Sequence, residues 1–502
     1  EKPYLIGVGR ADCTGPVADL PMMGYANTDQ TARGLHTRLF SRAFIVDDGN
    51  KRVVQDNVVL SGTHTHSGVG GYFQYTLFMI TSKGYIKPSI QAIVSGIVKS
   101  IDIAHRNLRP GRIFINKGQV ADSNFNRSPH SYMNNPEEER NRYEFNTDKQ
   151  IVVLKFTDLD GDGIGLLRYY IMHLIHKKNI YFSANNIGSS GICLVFRYRL
   201  CLHLVSRGFL YDKFLWCVYL QGPFVAGFSS SNLGDSSPNI RGPVCVNTGL
   251  KCDYINSSCP VGGKKACIAF GPGEDMFEST RIIGENMFKI AKELYGSAKQ
   301  ELHGPVYGAH QWVNMTDETV QFNSTHTGRT CKPALGHSFA AGTTDGGGEF
   351  NFLQGEEKRD TEGDPFWDGI RDAVLGPPSN ETKACHQPKP ILFSTGEMDS
   401  PLPWHPAIVD VQIITIGSLA VVAVPGEFTT MSGRRIREAV KRELEVKEPF
   451  TNAEVVVAGL CNIYTHYITT YEEYQIQRYE GASTIFGPHT LSAYIQRYRG
   501  LA

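Results

Sequence analysis

Three short aliphatic runs that end in polar chemistry constrain the fold of this chain more than any other feature. They are "DNVVLSGTHTH" (56–66), "GSLAVVAVPGEFTT" (417–430) and "AEVVVAGLCNIYTHY" (453–467). Val/Ile/Leu runs of this length predict strands buried on both faces. In α/β sheets, ligands gather beyond the carboxyl ends of strands. The first run ends in His64 and His66, the second in Glu427, the third in Asn462, Tyr464, His466 and Tyr467. One shared site at three strand ends is therefore the expectation.

Helical patterns lie between the runs. In "GEDMFESTRIIGENMFKIAKELYGSA" (273–298) the apolar residues Met276, Phe277, Ile283, Met287, Ile290 and Leu294 recur near helical spacing. In "SGRRIREAVKRELEV" (432–446) Ile436, Val440 and Leu444 share a face, with Ser432 as the expected cap. Strands and helices mixed in this way predict an α/β class: a large mixed-sheet catalytic domain with helices on its faces. The whole of 1–502 is read as one such domain.

The 50 basic and 50 acidic residues cancel, which gives no basic excess for a nucleic-acid partner. No run of about 18 apolar residues suggests a spanning helix. Cys245, Cys252, Cys259 and Cys267 fall in a Gly/Pro/Asn/Ser-rich stretch without a Cys-x-x-Cys. Zinc-ribbon spacing fails there, and a loop stapled by disulfides fits better. Cys331 and Cys385 are a candidate third pair. Asn-x-Ser/Thr acceptors occur at Asn126, Asn256, Asn314, Asn323 and Asn380. Chance produces such tripeptides, but beside the cysteines they favour an oxidising, extracellular compartment.

Two loops carry weaker signals. Asp158, Asp160 and Asp162 resemble the front of a calcium loop, but position twelve is Tyr169, so a hairpin turn is expected. The glycine-rich "TTDGGGEF" (343–350) lacks the Lys-Ser/Thr of a phosphate loop and reads as a plain or substrate-lining loop. Residues 166–220 follow neither a helical nor a strand period, and stand out as an atypical segment.

Catalytic zinc takes three or four His, Cys or carboxylate ligands and keeps a position for water. His64, Glu427 and a further histidine satisfy that, with His173 in "YYIMHLIH" the candidate. The bland readings are a hydrogen-bonded His-x-His loop, a helix-capping Glu427, and tyrosines packed on a helix face. Ser237 in "SSSNLGDSSPN" sits in an Asp-Ser-Ser-Pro turn without the nucleophile elbow of an α/β-hydrolase, which favours a simple turn.

Long stretches of this sequence resemble the neutral ceramidase family in its vertebrate-type form. They are "SGTHTHSG", "NRSP" (126–129), "SSNLGDSSPN", "GHSFAAGTTDG", "PGEFTTMSGRR" and "GLCNIYTHYITTYEEYQIQRYEGASTIFGPHTLSAYIQ". The resemblance spans most of 4–165 and 221–500. It implies a zinc amidase that splits ceramide, taken from a membrane surface, into sphingosine and fatty acid. It implies His64, His173, Glu427 and Tyr467 as zinc ligands and His66 facing the substrate carbonyl. Arg127 becomes a site arginine, Ser237 the serine assigned as nucleophile, and Tyr479 an oxyanion donor. Two mechanisms fit that set: water activated by the metal with Ser237 in support, which is chemically simpler, or attack by Ser237. The resemblance further implies the disulfides Cys245–Cys259, Cys252–Cys267 and Cys331–Cys385.

Departures from the pattern are local. Pro, Ser and Asn around His173 are replaced, and Asn185 stands for an aspartate. Gln55 joins two stretches that the family separates by a strand and a helix, so bare apolar surface is expected there. The family's C-terminal β-sandwich is absent from these residues. The rivals are a secreted lipid-binding relative with a damaged metal site, a metal-independent serine amidase and a structural glycoprotein.

Overall fold

The computed structural model describes residues 3–22, 24, 31–49, 57–68, 70–170, 224–253, 255–348, 350–355, 357–447, 450 and 452–502. His173, Asn185 and residues 171–220 of the atypical segment lie outside the described residues.

The strands that matter for the site are β1 (Tyr4–Asp12), β2 (Phe40–Asp47), β3 (Arg109–Gln119), β4 (Gln150–Asp158), β5 (Gly163–Tyr170) and β6 (Val225–Ser230). They form one sheet in the order β2-β1-β3-β4-β5-β6, with the two-residue strand Gln300–Glu301 pairing beside β3. Its pairs are antiparallel except β5 with β6, which is parallel. A second sheet holds β7 (Val306–Asn314), β8 (Ile408–Ile416), β9 (Leu419–Ala423) and β11 (Glu454–Ala458). Here β9 and β11, two of the three expected strands, run parallel in register. Between and beyond them the two-residue strands β10 (Glu427–Phe428) and β12 (Tyr467–Ile468) pair in parallel.

The sheets stack face to face. Ile6, Ile113, Leu154 and Phe156 of the first meet Ile416, Leu419, Val421 and Val456 of the second in one buried cluster. Helices cover the outer faces. On the first sheet, α2 (Met276–Ser297) sets Ile283, Met287 and Ala291 against Ile151, Val153, Leu166 and Phe228. The other helix there, α1 (Lys87–Arg106), lies directly on β1. A Cβ at Gly7 would stand 2.1 Å from the Ala104 carbonyl oxygen, so the close approach itself demands glycine. On the second sheet, α3 (Thr430–Glu445) and α4 (Thr490–Leu501) bury Ile436, Val440, Leu444, Tyr494 and Tyr498 against Val411, Val422 and Val457. The result is a helix–sheet–sheet–helix sandwich, the mixed α/β class expected.

Four local expectations meet the structure here. The Asp158–Asp162 stretch is the hairpin turn between β4 and β5, closed by Asp162 N–H donating to Asp158 Oδ1 at 2.9 Å. The cysteines pair as Cys245–Cys259, Cys252–Cys267 and Cys331–Cys385, with Cα separations of 5.6, 5.8 and 5.9 Å. The cap of α3 is corrected: Thr429, not Ser432, is its N-cap, and accepts from the Ser432 N–H. Ser432 already lies inside the first turn, where its own amide is the group to be capped. The run at 58–60 is likewise not a buried strand. Val58 and Val59 are half-buried, Leu60 is exposed, and backbone pairing there is one antiparallel bridge, Ser61 to Cys461. A strand needs a neighbour along its length, and no described strand lies beside 58–60.

The atypical segment is also narrower than its composition suggests, since residues 166–170 are the buried end of β5. Arg168 is 2% exposed there. Its guanidinium stacks 4.4 Å over Phe228, and its Nη2 reaches Met287 Sδ at 3.2 Å. Nε and Nη1 have no hydrogen-bond partner among the described residues, and burial draws the pKa down to about 9. With no counter-ion among the described residues, the buried charge is costly, so Arg168→Met is expected to stabilise the chain by roughly 1–4 kcal/mol. Urea unfolding of both proteins checks this; a midpoint that stays or falls counts against it.

Candidate functional site

The sequence brings the site together by pinning loops to the end of the second sheet. After β9 the chain turns at Pro425-Gly426 into β10, and after β11 it loops back into β12, so Glu427 and Tyr467 stand side by side in register. The Glu427 amide donates to the His466 carbonyl at 2.8 Å. The loop carrying His64 is tied to the same end: Gly62 N–H donates to the Leu460 carbonyl and Asn462 N–H to the Leu60 carbonyl. His64 itself adopts a positive φ of 59°.

The "SSNLGDSSPN" stretch reaches the site through the start of α3. Asp235 accepts from the Thr430 backbone N–H at 2.8 Å and the Thr430 hydroxyl at 2.7 Å. Gly234 lies against β10 so closely that a Cβ would meet the Glu427 carbonyl oxygen at 2.7 Å. On its other side, Ser236 and Ser237 pair with Asn126 and Phe125, which delivers the neighbouring Arg127.

The side chains converge as follows. His64 Nε2 lies 3.5 Å from Glu427 Oε2 and 3.2 Å from His66 Nε2. His66 Nδ1 is 3.1 Å from the Gly24 carbonyl, which assigns the proton to Nδ1. The Tyr464 hydroxyl donates to Glu427 Oε1 at 2.7 Å. Tyr467 also hydrogen-bonds the Glu427 carboxylate. Arg127 Nη2 donates to Tyr467 Oη at 3.2 Å and to the Gly234 carbonyl at 2.8 Å, while Nε donates to Glu480 Oε1 at 2.8 Å. Tyr479 meets Tyr467 edge to face, with ring centroids 5.2 Å apart.

Burial sets the charges. It keeps His64 well below its usual pKa and pulls His66 down to about 4, so both imidazoles are neutral at physiological pH. It pushes the Glu427 carboxyl up to about 7. Tyr479 is raised to about 12 and stays a proton donor.

Neutral imidazole and a buried carboxylate are ordinary zinc donors, and the Tyr467 phenol beside them offers a further oxygen. Bonds of about 2.0–2.1 Å in a tetrahedron put ligand atoms about 3.3 Å apart, and the 3.5 Å between His64 Nε2 and Glu427 Oε2 is close to that. A cation there would also offset the desolvation that raises Glu427. His64, Glu427 and Tyr467 thus fit the group; the fourth expected ligand, His173, is outside the described residues. The other cluster with metal-like spacing, Cys245, Cys252 and Cys259, is committed to disulfides and offers no thiolate.

The site opens into a cavity of about 2630 Å³, well above the roughly 300–1,000 Å³ of ordinary ligand pockets. His64, His66, Arg127, Glu427, Tyr464, Tyr467 and Tyr479 form its polar end. Phe73, Phe78, Phe339, Phe352 and Trp367 form one apolar wall. A second apolar wall is β2 with Leu154, Phe156, Leu167 and Tyr169. All eight residues of β2 are half-buried, and Phe44 and Val46 pack against the core. Ser237 is not on the cavity wall; it is 0% exposed and donates to Asp345 Oδ1 at 2.6 Å.

Three participants escaped the sequence reading. The Gly24 carbonyl has no side-chain signature. Glu480 follows Tyr479 directly in the resembling stretch and holds Arg127, a pairing that only the fold reveals. Asp345 is the acid within the glycine-rich loop, whose Gly342, Thr343, Gly346 and Gly347 do line the cavity.

Known proteins resemble the chain along its whole length. The model of the neutral/alkaline non-lysosomal ceramidase N-terminal family matches residues 4–55 and 54–496, two stretches that overlap at Val54 and Gln55. A neutral ceramidase of Oryza sativa subsp. japonica is 41% identical over 593 residues, covering 100% of this chain and 75% of the relative. Neutral ceramidase B of Dictyostelium discoideum is 42% identical, covering 100% and 72%. A solved structure described as a ceramidase complexed with C2 superposes with a TM-score of 0.81 at 30% identity, covering 100% of this chain and 75% of that one. The neutral ceramidase of Pseudomonas aeruginosa gives 0.78 at 29%, covering 100% and 74%. This chain therefore belongs to the neutral/alkaline non-lysosomal ceramidase family, a family of ceramide-hydrolysing enzymes.

Proposed function

We propose that the chain is a zinc-dependent amidohydrolase that cleaves the N-acyl amide of ceramide to sphingosine and free fatty acid. One observation carries the reading: an imidazole, a carboxylate and a phenol from distant parts of the chain meet at the polar end of a large apolar cavity. His64, Glu427 and Tyr467 hold the ion, with His173 as the expected fourth ligand. When bound, zinc supplies Lewis acidity toward the amide carbonyl and an acidified water. Tyr479 keeps its proton and donates to the developing oxyanion, and His66, its proton held on Nδ1 by Gly24, faces the reacting carbonyl with Nε2 as a proton acceptor. Arg127 holds the Tyr467 hydroxyl in place. Ser237 supports this arrangement and is not the attacking group, because its hydroxyl is buried and donated to Asp345. The aromatic wall receives the hydrocarbon chains, and a membrane surface is the source of the substrate.

Purified protein with stoichiometric zinc, releasing fatty acid from a short-chain ceramide and losing that turnover to a chelator, is the expected result. Turnover that survives chelation sinks the metal reading. The half-buried β2 wall favours one rival, a secreted lipid-binding relative with an impaired site; lipid binding without zinc or turnover is its signature.

Tyr464 acts on the ion through Glu427. Tyr464→Phe removes the 2.7 Å hydrogen bond to Oε1 and is expected to weaken zinc binding about 10–100-fold. Competition with a chromophoric chelator measures it, and an unchanged affinity excludes the role.

An extracellular or cell-surface location completes the proposal. Three disulfides support it, as do exposed acceptors at Asn256, Asn314, Asn323 and Asn380. Asn126 is excluded as a glycan site: it is 3% exposed and its amide donates to Asp235 Oδ2 and the Asn146 carbonyl. Glycosidase treatment of protein secreted from animal cells, followed by peptide mapping, tests this; an unmodified set of all four acceptors counts against secretion.

A further inference from the structure

The glycine-rich hairpin is accounted for as cavity wall, but its acid is not. Gly342–Thr343 pairs with Gly346–Gly347, which leaves Thr344 and Asp345 as a two-residue turn. The turn points Asp345 inward, away from the cavity, where it is 1% exposed. Its Oδ1 accepts from the Ser237 hydroxyl at 2.6 Å and the Asn239 side-chain amide at 2.8 Å. Its Oδ2 has no hydrogen-bond partner among the described residues and lies 3.6 Å from Arg127 Nη1.

Two consequences follow from the donor inventory. Ser237 has one hydroxyl hydrogen, and Asp345 takes it; a lone pair accepts the Asn239 backbone N–H at 3.1 Å. The hydroxyl is thereby held in one orientation. The Arg127 fork is gripped on two edges by two buried carboxylates, Glu480 at Nε and Asp345 at Nη1. Its Nη2 is left aimed at Tyr467 Oη. Charge-assisted contacts in a dry interior are strong and directional.

We propose that Asp345 is a positioning residue for the reaction: its carboxylate orients the Ser237 hydroxyl and holds Arg127 against Tyr467, coupling the glycine-rich hairpin to the metal-ligand end of the cavity. The proposal rests on the amidohydrolase reading of the site. Asp345 touches neither substrate nor metal; it acts through Ser237 and Arg127, whose misplacement by about 1 Å costs about 100-fold in rate.

Asp345→Asn, near-isosteric but uncharged, tests it. Its kcat on short-chain ceramide is expected to fall about 100-fold. KM, and affinity for an analogue with the amide carbonyl replaced by methylene, should stay within about threefold, because the cavity wall is untouched. Ser237→Ala added to Asp345→Asn should cost little more, since the two act as one unit. A kcat within about threefold of the parent, or losses that multiply in the double variant, overturns the proposal. Asn239→Ala removes one donor from Oδ1 and keeps the charge. It is expected to lower kcat about tenfold, and it decides the matter if Asp345→Asn does not fold; an unchanged kcat then overturns the proposal. If the parent chain releases no fatty acid, the amidohydrolase reading fails, and positioning is read directly by NMR of arginine-¹⁵N-labelled protein. Restricted rotation should keep the Arg127 Nη signals separate in the parent and merge them in Asp345→Asn; signals that stay separate overturn the proposal.

Discussion

Replacing Glu427 with alanine is expected to abolish both zinc retention and turnover. The carboxylate is the one formally anionic member of the described donor set, it is 1% exposed, and its neighbours His64, Tyr464 and Tyr467 are all neutral partners. Without it, neutral imidazole and phenol remain, a far weaker set for a dication. Lewis-acid assistance is worth several kcal/mol, so a loss of about 10³-fold or more in kcat/KM should accompany a fall in bound zinc from one per chain toward none. Elemental analysis and fatty-acid release measure the two together; full zinc occupancy in Glu427→Ala removes the carboxylate from the ligand set. The same residue gives a pH test. Burial raises the folded Glu427 pKa from 4.5 to about 7. In metal-free protein its stabilising contribution is therefore fully present below 4.5 and is lost as the pH rises through about 7. Zinc competes with that proton, so zinc affinity should rise as the pH is raised across the same range. An affinity that is flat through neutrality contradicts the assignment.

How much of this was legible in the sequence depends on where each contact is made. Residues 276–297 and 430–445 announce helices because their apolar positions recur along one face, a local property. The strands at 419–423 and 454–458 announce themselves for the same reason, being apolar on both sides. The run at 58–60 has the same composition and fails, because a strand is completed by its neighbours and no described strand lies beside it. The metal-competent residues were legible by type and by family resemblance, which named His64, Glu427 and Tyr467. Their convergence rests on β10 and β12, two residues each, too short to carry any periodic signal. The supports of the site were not legible at all. Glu480 and Asp345 are ordinary acids in sequence, and only the fold buries them on opposite edges of one guanidinium. The same contrast separates the turns: Asp158–Asp162 is a local hairpin and was foreseen, whereas the Thr344–Asp345 turn matters for what it reaches.

Arg127→Met should be the most damaging single change that leaves the donor set intact. The guanidinium is 3% exposed and pairs with two carboxylates that are themselves 1% exposed, Glu480 and Asp345. Met matches much of its length but none of its charge. Removal of one partner from a buried ion pair leaves an uncompensated charge and costs about 3–5 kcal/mol. Here two carboxylates are stranded at once. Glu480 keeps the Ser128 hydroxyl, which donates to Oε2 at 2.6 Å, and Asp345 keeps Ser237 and Asn239, so the residual hydrogen bonds hold the loss near that range. Turnover should fall as well, because Tyr467 loses the donor to its hydroxyl and Tyr479 loses the cation 5.5 Å from its ring. Urea unfolding and fatty-acid release of parent and variant measure the two losses separately. A variant as stable as the parent would mean that the buried ionic clamp around Arg127 does not exist.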